Sequence, residues 1–219
     1  MNGVLNIFKP KGMSSFDAVR VVKKVAGTGK VGHTGTLDPE ATGVLPICIG
    51  RATKIIDYIM DSEKVYEVTL KLGIRTTTYD LEGEVLEERD PSHLTEEEIL
   101  NSINSFKGEY SQIPPMYSAL KQNGVRLYEL ARKGIEVERK GRLINIHNLE
   151  DVKINNPYIS MKVTCSKGTY IRSLCYDIGE KLGVFATMTQ LNRAKTSVFS
   201  QEKSININEL TKENINDYI

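Results

Sequence analysis

The sequence predicts an α+β fold: a mixed, mainly antiparallel sheet flanked by helices. Residues 66–72 and 159–166 alternate apolar with polar side chains, the pattern of strands that bury one face. Sheets with one polar face are typical of antiparallel pairing rather than of a doubly wound parallel fold. Two amphipathic stretches, residues 16–27 and 171–182, supply helices that cover such a sheet. A chain of 219 residues is long enough to bury a core without disulfide staples.

Capping residues predict where the helices start and stop. A serine just before residues 16–27 caps the first turn, Asp17 complements the positive end of the helix dipole, and Gly27 closes the helix. Thr95 and Glu98 form a capping box ahead of a second helix. Further helices are predicted over residues 126–133 and after a cap at Thr169.

The remaining segments are predicted as loops and strands. Residues 28–46 form a long loop rich in glycine and threonine, and a long loop within a compact domain is commonly functional. Residues 107–124, with two prolines and two glycines, form a loop or an extended arm. Strands are predicted over residues 142–149 and, with turns, over 185–199, and a short helix ends the polar stretch 205–219.

Composition excludes several classes of protein. Charged residues are 26% and hydrophobic residues 40%, both near the globular average, which excludes wholesale disorder. The three cysteines are far apart and share no ligand spacing with the three histidines, so neither a disulfide framework nor structural zinc is expected. The N-terminus lacks the apolar region of a signal peptide, and no apolar run approaches 18 residues. We expect a soluble, cytoplasmic protein.

The net charge of +1 hides a segregation along the chain. Residues 1–60 carry a net charge of +4 and residues 116–172 carry +6, whereas residues 61–115 carry −8 and residues 173–219 carry −1. Two basic blocks on one face can meet phosphate groups, with the acidic block elsewhere. The alternative is that the charge runs are solvated surface without a partner. Charge alone leaves both interpretations open.

Common cofactor and hydrolase motifs fail in this sequence. Residues 27–32 match G-x-G-x-x-G, but the run follows a predicted helix instead of opening one, so a dinucleotide site is disfavoured. Lys30 is followed by Val31, which excludes a phosphate-binding P-loop. The sequence contains neither G-x-S-x-G nor H-E-x-x-H, the signatures of serine hydrolases and zinc proteases. An enzyme that uses a nucleotide cofactor at residues 27–32 remains a rival hypothesis.

The loop over residues 32–46, GHTGTLDPEATGVLP, offers one carboxylate in an unusual setting. Asp38 precedes Pro39, which pushes its backbone toward extended geometry on a stiff loop. Because no histidine neighbours it in the loop, it suits a lone nucleophile, or a metal or turn role, better than paired acid–base work. An Asp-Pro pair is also a common turn starter, so spacing alone leaves a purely structural role open.

The loop resembles the catalytic motif of the TruB family, the tRNA pseudouridine-55 synthases. Further segments resemble other motifs of that family in the same order and extend the resemblance over about residues 3–200: GVLNIFKPKGMSS at 3–15, KVYEVTLKLG at 64–73, RTTTYDLEG at 75–83, IPPMYSALKQNGVRLYELARKG at 113–134, and SKGTYIRSL at 166–174. The resemblance implies the pseudouridine synthase fold, with a central catalytic cleft at Asp38, in one catalytic domain over residues 1–219.

The resemblance also implies the reaction and its machinery. Asp38 falls on the covalent catalyst of an isomerase that breaks the N1–ribose bond of a uridine within tRNA and rejoins the base through C5. Arg172 falls on the arginine that pairs with that aspartate. Tyr66 falls on the aromatic residue that stacks on the flipped-out base, at a strand position that equally suits a core residue. No cofactor and no metal are implied.

Further site residues follow from the same motifs, each with a structural alternative. His33 falls on the residue that fills the gap left in the tRNA stack, and otherwise is a loop histidine bonded to its own backbone. Tyr170 and Leu191 fall on the base pocket, and otherwise belong to the packing of the core. Lys9 and Pro10 match the opening motif, with a mainly structural role.

Partners follow from the resemblance as well. Residues 107–142 resemble an insertion that grips the tRNA T-arm, and the chain is expected to act as a monomer. A C-terminal RNA-binding domain of the PUA type, usual in bacterial members, is expected to be absent. The rival from another class is an RNA-binding or tRNA-folding module without turnover.

Overall fold

A computed structural model describes residues 1–219. Its helices are α1 (Ser15–Ala26), α2 (Ile56–Met60), α3 (Glu96–Asn104), α4 (Leu127–Ala131) and α5 (Ile171–Leu182). Its strands are β1 (Gly3–Lys9), β2 (Val31–His33), β3 (Thr42–Ile49), β4 (Lys64–Leu72), β5 (Ile74–Thr76), β6 (Val85–Glu88), β7 (Gly108–Gln112), β8 (Lys121–Gln122), β9 (Val125–Arg126), β10 (Arg142–Asn155), β11 (Tyr158–Cys165), β12 (Ala186–Thr196), β13 (Phe199–Ser200) and β14 (Ile205–Asn206). Short 3-10 turns follow β3 and β13 and occur near the C-terminal end of the chain.

The first of two units comprises residues 1–67 and 190–219. Its strands lie in the order β14-β1-β3-β12. β1 pairs antiparallel with β3 and parallel with β14, and β3 pairs parallel with β12. β2 pairs antiparallel with β3 along a short register. The core of this unit is aliphatic and includes Leu5, Ile7, Leu45 and Ile47.

The second unit comprises residues 68–189. Its strands lie in the order β4-β11-β10-β7, and β10 pairs antiparallel with both of its neighbours. Two small hairpins stand apart from this order, β5 with β6 and β8 with β9. β1 with β14 and β3 with β12 pair parallel, whereas β1 with β3, β2 with β3, β7 with β10 and β10 with β11 pair antiparallel, so the prediction of a mixed, mainly antiparallel sheet with helices is confirmed.

The capping predictions hold for two helices and fail for a third. Ser14 caps α1 with Asp17 in a capping box, and Thr95 and Glu98 cap α3 in the same way. The predicted cap at Thr169 is wrong, because α5 is preceded by Tyr170 and its N-terminus receives no hydrogen bond from the side chain of that N-cap residue. The Thr169 hydroxyl instead donates to the carbonyl of Ser166, at 2.9 Å.

The prediction of one long loop over residues 28–46 is also wrong, because β2 and the first part of β3 lie within it. β3 is buried along seven of its eight residues, so it lacks the alternation that marks a half-buried strand. Residues 107–124 likewise contain two strands, β7 and the short β8. No helix of the structure is both long and apolar enough to cross a membrane.

Candidate active site

Asp38 starts a tight turn whose two flanking residues are anchored. The Ala41 N–H donates to the Asp38 carbonyl at 3.1 Å, a turn with aspartate first and proline second. On one side, the buried Leu37 exchanges two hydrogen bonds with the Ser15 hydroxyl, at 2.8 and 3.0 Å. On the other side, the Pro39 carbonyl accepts from the Gly12 N–H at 2.9 Å. These bonds fix the backbone on both sides of the carboxylate, while Asp38 itself stays partly exposed.

Lys9 stabilises this turn through hydrogen bonds from its buried ammonium group. Its side chain is fully buried, and its ammonium group donates to the carbonyls of Pro10, Met13 and Pro39 at 3.0, 2.7 and 3.2 Å. Burial lowers the pKa of Lys9 to about 8, against the opposing field of the Asp38 carboxylate. The three carbonyl bonds account for a positioning role and support the structural role expected for this residue.

Arg193, on β12, is a second buried cation beside the same loop. It is 1% exposed, and its guanidinium donates to the carbonyls of Val44 and Gly35 at 2.8 and 3.1 Å. These carbonyls lie on the two sides of Asp38 in the chain, so one rigid fork spans both ends of the loop. Sequence analysis missed this residue, although it lies two positions after Leu191.

His33 lies at the end of β2, where its Nδ1 accepts from the Gly35 N–H at 3.3 Å. Burial and the positive charge of Arg193 lower the pKa of the imidazole. His33 is therefore neutral at pH 7, the form suited to stacking among bases. The structural alternative, a hydrogen bond between the imidazole and the loop backbone, is present as the Gly35 bond. This bond is compatible with the predicted role of His33 in filling the gap in the tRNA stack, which stays a prediction.

We expect His33 to titrate below pH 6.5 in the folded protein, followed by NMR of the imidazole protons. Because the folded pKa is the lower one, the unfolded state binds more protons, and stability is lost as pH falls below 6.5. The same histidine in urea-unfolded protein serves as the reference. A folded-state midpoint at or above the unfolded one contradicts the prediction.

Arg172 is held firmly within the second unit. It is 6% exposed, and its guanidinium donates to the carbonyls of Thr78 and Tyr117 at 3.1 and 2.8 Å. Asp80, itself buried, lies 3.5 Å from the same guanidinium and forms an ion pair with it. The alternative that Arg172 is a surface residue is wrong. Its pairing with Asp38 stays a prediction.

Asp80 is a further residue that sequence analysis missed. Its carboxylate accepts from the Thr78 hydroxyl at 2.5 Å and from the Glu82 N–H at 3.0 Å. Asp80 belongs to the 75–83 segment that resembles a family motif, but only the fold reveals its partner Arg172, 92 positions away in the chain.

The three remaining site residues are placed as follows. Tyr66 is 9% exposed and lies on the buried face of β4, in line with Val68. Tyr170 is partly exposed at the start of α5, and Leu191 is partly exposed on β12. The roles of these three residues at the base pocket stay predictions.

Solved structures define the class of fold. A chain from the crystal structure of a Cbf5–Nop10–Gar1 complex superposes with a TM-score of 0.74 at 31% identity, over 95% of this chain and 53% of that one. A crystal structure described as a pseudouridylate synthase superposes with a TM-score of 0.50 at 18% identity, over 100% of this chain and 74% of that one. The fold is that of a pseudouridylate synthase.

Sequence comparisons narrow the class to a family. Residues 23–171 match the model of the TruB family pseudouridylate synthase N-terminal domain, and residues 172–217 match that of the tRNA pseudouridylate synthase B C-terminal domain. Proteins named tRNA pseudouridine synthase B are similar over the whole chain: 63% identity in Clostridium tetani, over 76% of that protein, and 66% in Clostridium perfringens strain SM101, over 75%. The chain belongs to the TruB family of pseudouridylate synthases, which are isomerases.

Proposed function

We propose that the protein isomerises the uridine at position 55, in the T-loop of tRNA, to pseudouridine with Asp38 as the nucleophile. The observation that carries this proposal is the doubly anchored turn that presents a partly exposed Asp38 in a member of this family. In the reaction the N1–C1′ bond breaks, a C5–C1′ bond forms, C5 loses its proton and N1 gains one. We place this activity in the cytoplasm, in a monomer without cofactor or metal.

The target base has to leave the stack before it reacts. Flipping a base out of a folded RNA costs a few kcal/mol, and stacking on an aromatic side chain returns roughly 1–3 kcal/mol per base. Tyr66 is proposed as that stacking partner, with Tyr170 and Leu191 lining the base pocket. The neutral imidazole of His33 fills the gap left in the RNA. Arg172 is proposed to orient the Asp38 carboxylate, which a preformed guanidinium fork does at low entropic cost.

Basic residues of the 107–142 segment are proposed to grip the T-arm phosphates. Some of these side chains already bond or contact other protein groups, whereas others are exposed and can reach a phosphate. Arg139 is occupied, because its guanidinium donates to the Pro114 carbonyl at 3.1 Å and contacts Glu136 at 3.3 Å. Arg126 and Arg132 both lie against the Tyr128 ring. Lys107 is exposed but donates to the side-chain oxygen of Asn148 at 3.0 Å, which leaves the exposed lysines Lys121, Lys133 and Lys140 for the phosphates.

Replacing those three lysines with alanine is expected to flatten the salt dependence of RNA binding. Removing one lysine–phosphate contact reduces the slope of log affinity against log salt by roughly 1, so the slope of the triple variant is expected to fall by about 2–3. The matched control replaces three exposed lysines of the first unit, namely Lys24, Lys203 and Lys212. Filter binding of T-arm RNA at several salt concentrations measures both, and equal slopes contradict the proposed grip.

The experiment for the reaction itself is tritium release from a T-arm RNA that carries 5-³H-uridine. Loss of the C5 proton is expected in step with pseudouridine at position 55, located by nucleotide-resolution mapping. Bound RNA without release would favour a binding module over an isomerase. A saturable requirement for a nucleotide would instead favour the cofactor hypothesis for residues 27–32.

A further inference from the structure

Gln112, the last residue of β7, has an unusual set of partners for a buried side chain. It is 1% exposed, and its side-chain amide hydrogen-bonds both backbone groups of Tyr170. The Tyr170 N–H donates to Oε1 at 2.8 Å, while Nε2 donates to the Tyr170 carbonyl at 3.1 Å. The second Nε2 proton goes to the Tyr110 hydroxyl at 2.7 Å. The amide thus pairs with Tyr170 as a neighbouring strand would.

This pairing satisfies the backbone N–H group of Tyr170, at the N-terminus of α5. The first N–H groups of any helix lack partners within the helix, and Tyr170, the N-cap of α5, provides no side-chain cap. The residues after Gln112 continue along the same turn of the helix. The Ile113 carbonyl accepts from the Ser173 hydroxyl at 2.9 Å, and the Tyr117 carbonyl accepts from Arg172 at 2.8 Å. The 112–117 segment therefore hydrogen-bonds the start of α5 at Tyr170, Arg172 and Ser173, all within the second unit.

We propose that Gln112 is a positioning residue, which through its two bonds to the Tyr170 backbone sets where the first turn of α5 presents Tyr170 and Arg172. This inference rests on the roles proposed above for those two residues. A glutamine is suited to the task because one planar amide both donates and accepts, which neither a carboxylate nor an apolar side chain does. A shift of the order of 1 Å in a reacting group lowers a rate by up to about 10²-fold.

The test compares Gln112→Ala with Tyr110→Phe, which removes the third partner of the amide and leaves the Tyr170 bonds intact. Single-turnover tritium release from T-arm RNA at saturating enzyme is expected to fall about 30-fold or more in Gln112→Ala and to stay within about twofold in Tyr110→Phe. The dissociation constant, measured by filter binding in the Asp38→Asn background, is expected to change less than about threefold. Hydrogen exchange over residues 167–175 is expected to accelerate in Gln112→Ala alone.

Several outcomes overturn the proposal. One is a near wild-type single-turnover rate in folded Gln112→Ala, and another is an equal loss of rate in Tyr110→Phe. The proposal is also overturned if hydrogen exchange over residues 167–175 is unchanged in Gln112→Ala, or if weaker RNA binding wholly explains the loss of rate. If Gln112→Ala does not fold, the same measurements on the isosteric Gln112→Glu decide, since its carboxylate cannot donate to the Tyr170 carbonyl. Failure of the proposed function is separate: it appears as no release by wild type, or as release by Asp38→Asn.

Discussion

Asp38→Asn is expected to abolish pseudouridine formation, with a loss of at least about 10⁴-fold in single-turnover rate. The amide has the shape of the carboxylate but is no nucleophile, so the covalent step has no substitute. The fold is expected to survive, because the hydrogen bonds that anchor the turn belong to the backbones of Leu37 and Pro39 and to the Asp38 carbonyl. Affinity for T-arm RNA is expected to be retained.

Glu40→Gln is the matched control, because the chain places a second carboxylate in the same turn. Glu40 is exposed and forms a salt bridge with Lys11 at 2.9 Å, a pair of the kind that contributes little to stability. Tritium release within about twofold of wild type is expected for this variant. Turnover by Asp38→Asn, or an equal loss in Glu40→Gln, would assign catalysis to another group or to the charge of the turn as a whole.

Local sequence patterns predicted the elements whose signal is contained within a few residues. The capping boxes at Ser14 and Thr95 need only residues three positions apart, and both are present. The alternation in β4 and β11 reports one buried face, which is a property of each strand by itself. β3 was missed because burial on both faces erases the alternation. Burial of that kind depends on neighbours that the local sequence does not reveal.

In the candidate site too, some features were predictable from the local sequence and others were not. The spacing around Asp38 predicted a turn, which the structure confirms, and only the family motifs gave the carboxylate a chemical role. The residues that hold the site were not predictable from local pattern, because their bonds join distant parts of the chain. Arg193 binds Gly35 across 158 positions, and Gln112 binds Tyr170 across 58. A buried cation bonded to carbonyls has no local signature.

Gly43→Ala is expected to give the largest loss of stability of any glycine-to-alanine change in the loop over residues 32–46. Gly43 has φ of 113°, a conformation that L side chains rarely adopt. It faces Arg193 in the parallel pairing of β3 with β12. A Cβ at this position would lie 2.6 Å from the Arg193 nitrogen and 2.8 Å from its carbonyl carbon, and would overlap the carbonyl oxygen. Because the obstacle is backbone, no rotamer change relieves it, and a loss of about 4 kcal/mol is expected.

Gly35→Ala measures the cost of backbone strain without the clash between an added Cβ and the Arg193 backbone. Gly35 has a similar φ of 120°, but the nearest atom to its added Cβ is Nη1 of Arg193 at 3.7 Å, an ordinary contact. The expected loss is therefore about 1–2 kcal/mol, from strain alone. Urea unfolding of both variants measures the difference, and equal losses would show that the approach of β12 to β3 contributes nothing. Since the two glycines lie on either side of Asp38, only the variant that displaces Arg193 is expected to lower the isomerisation rate as well, because the guanidinium that spans the loop moves with its strand.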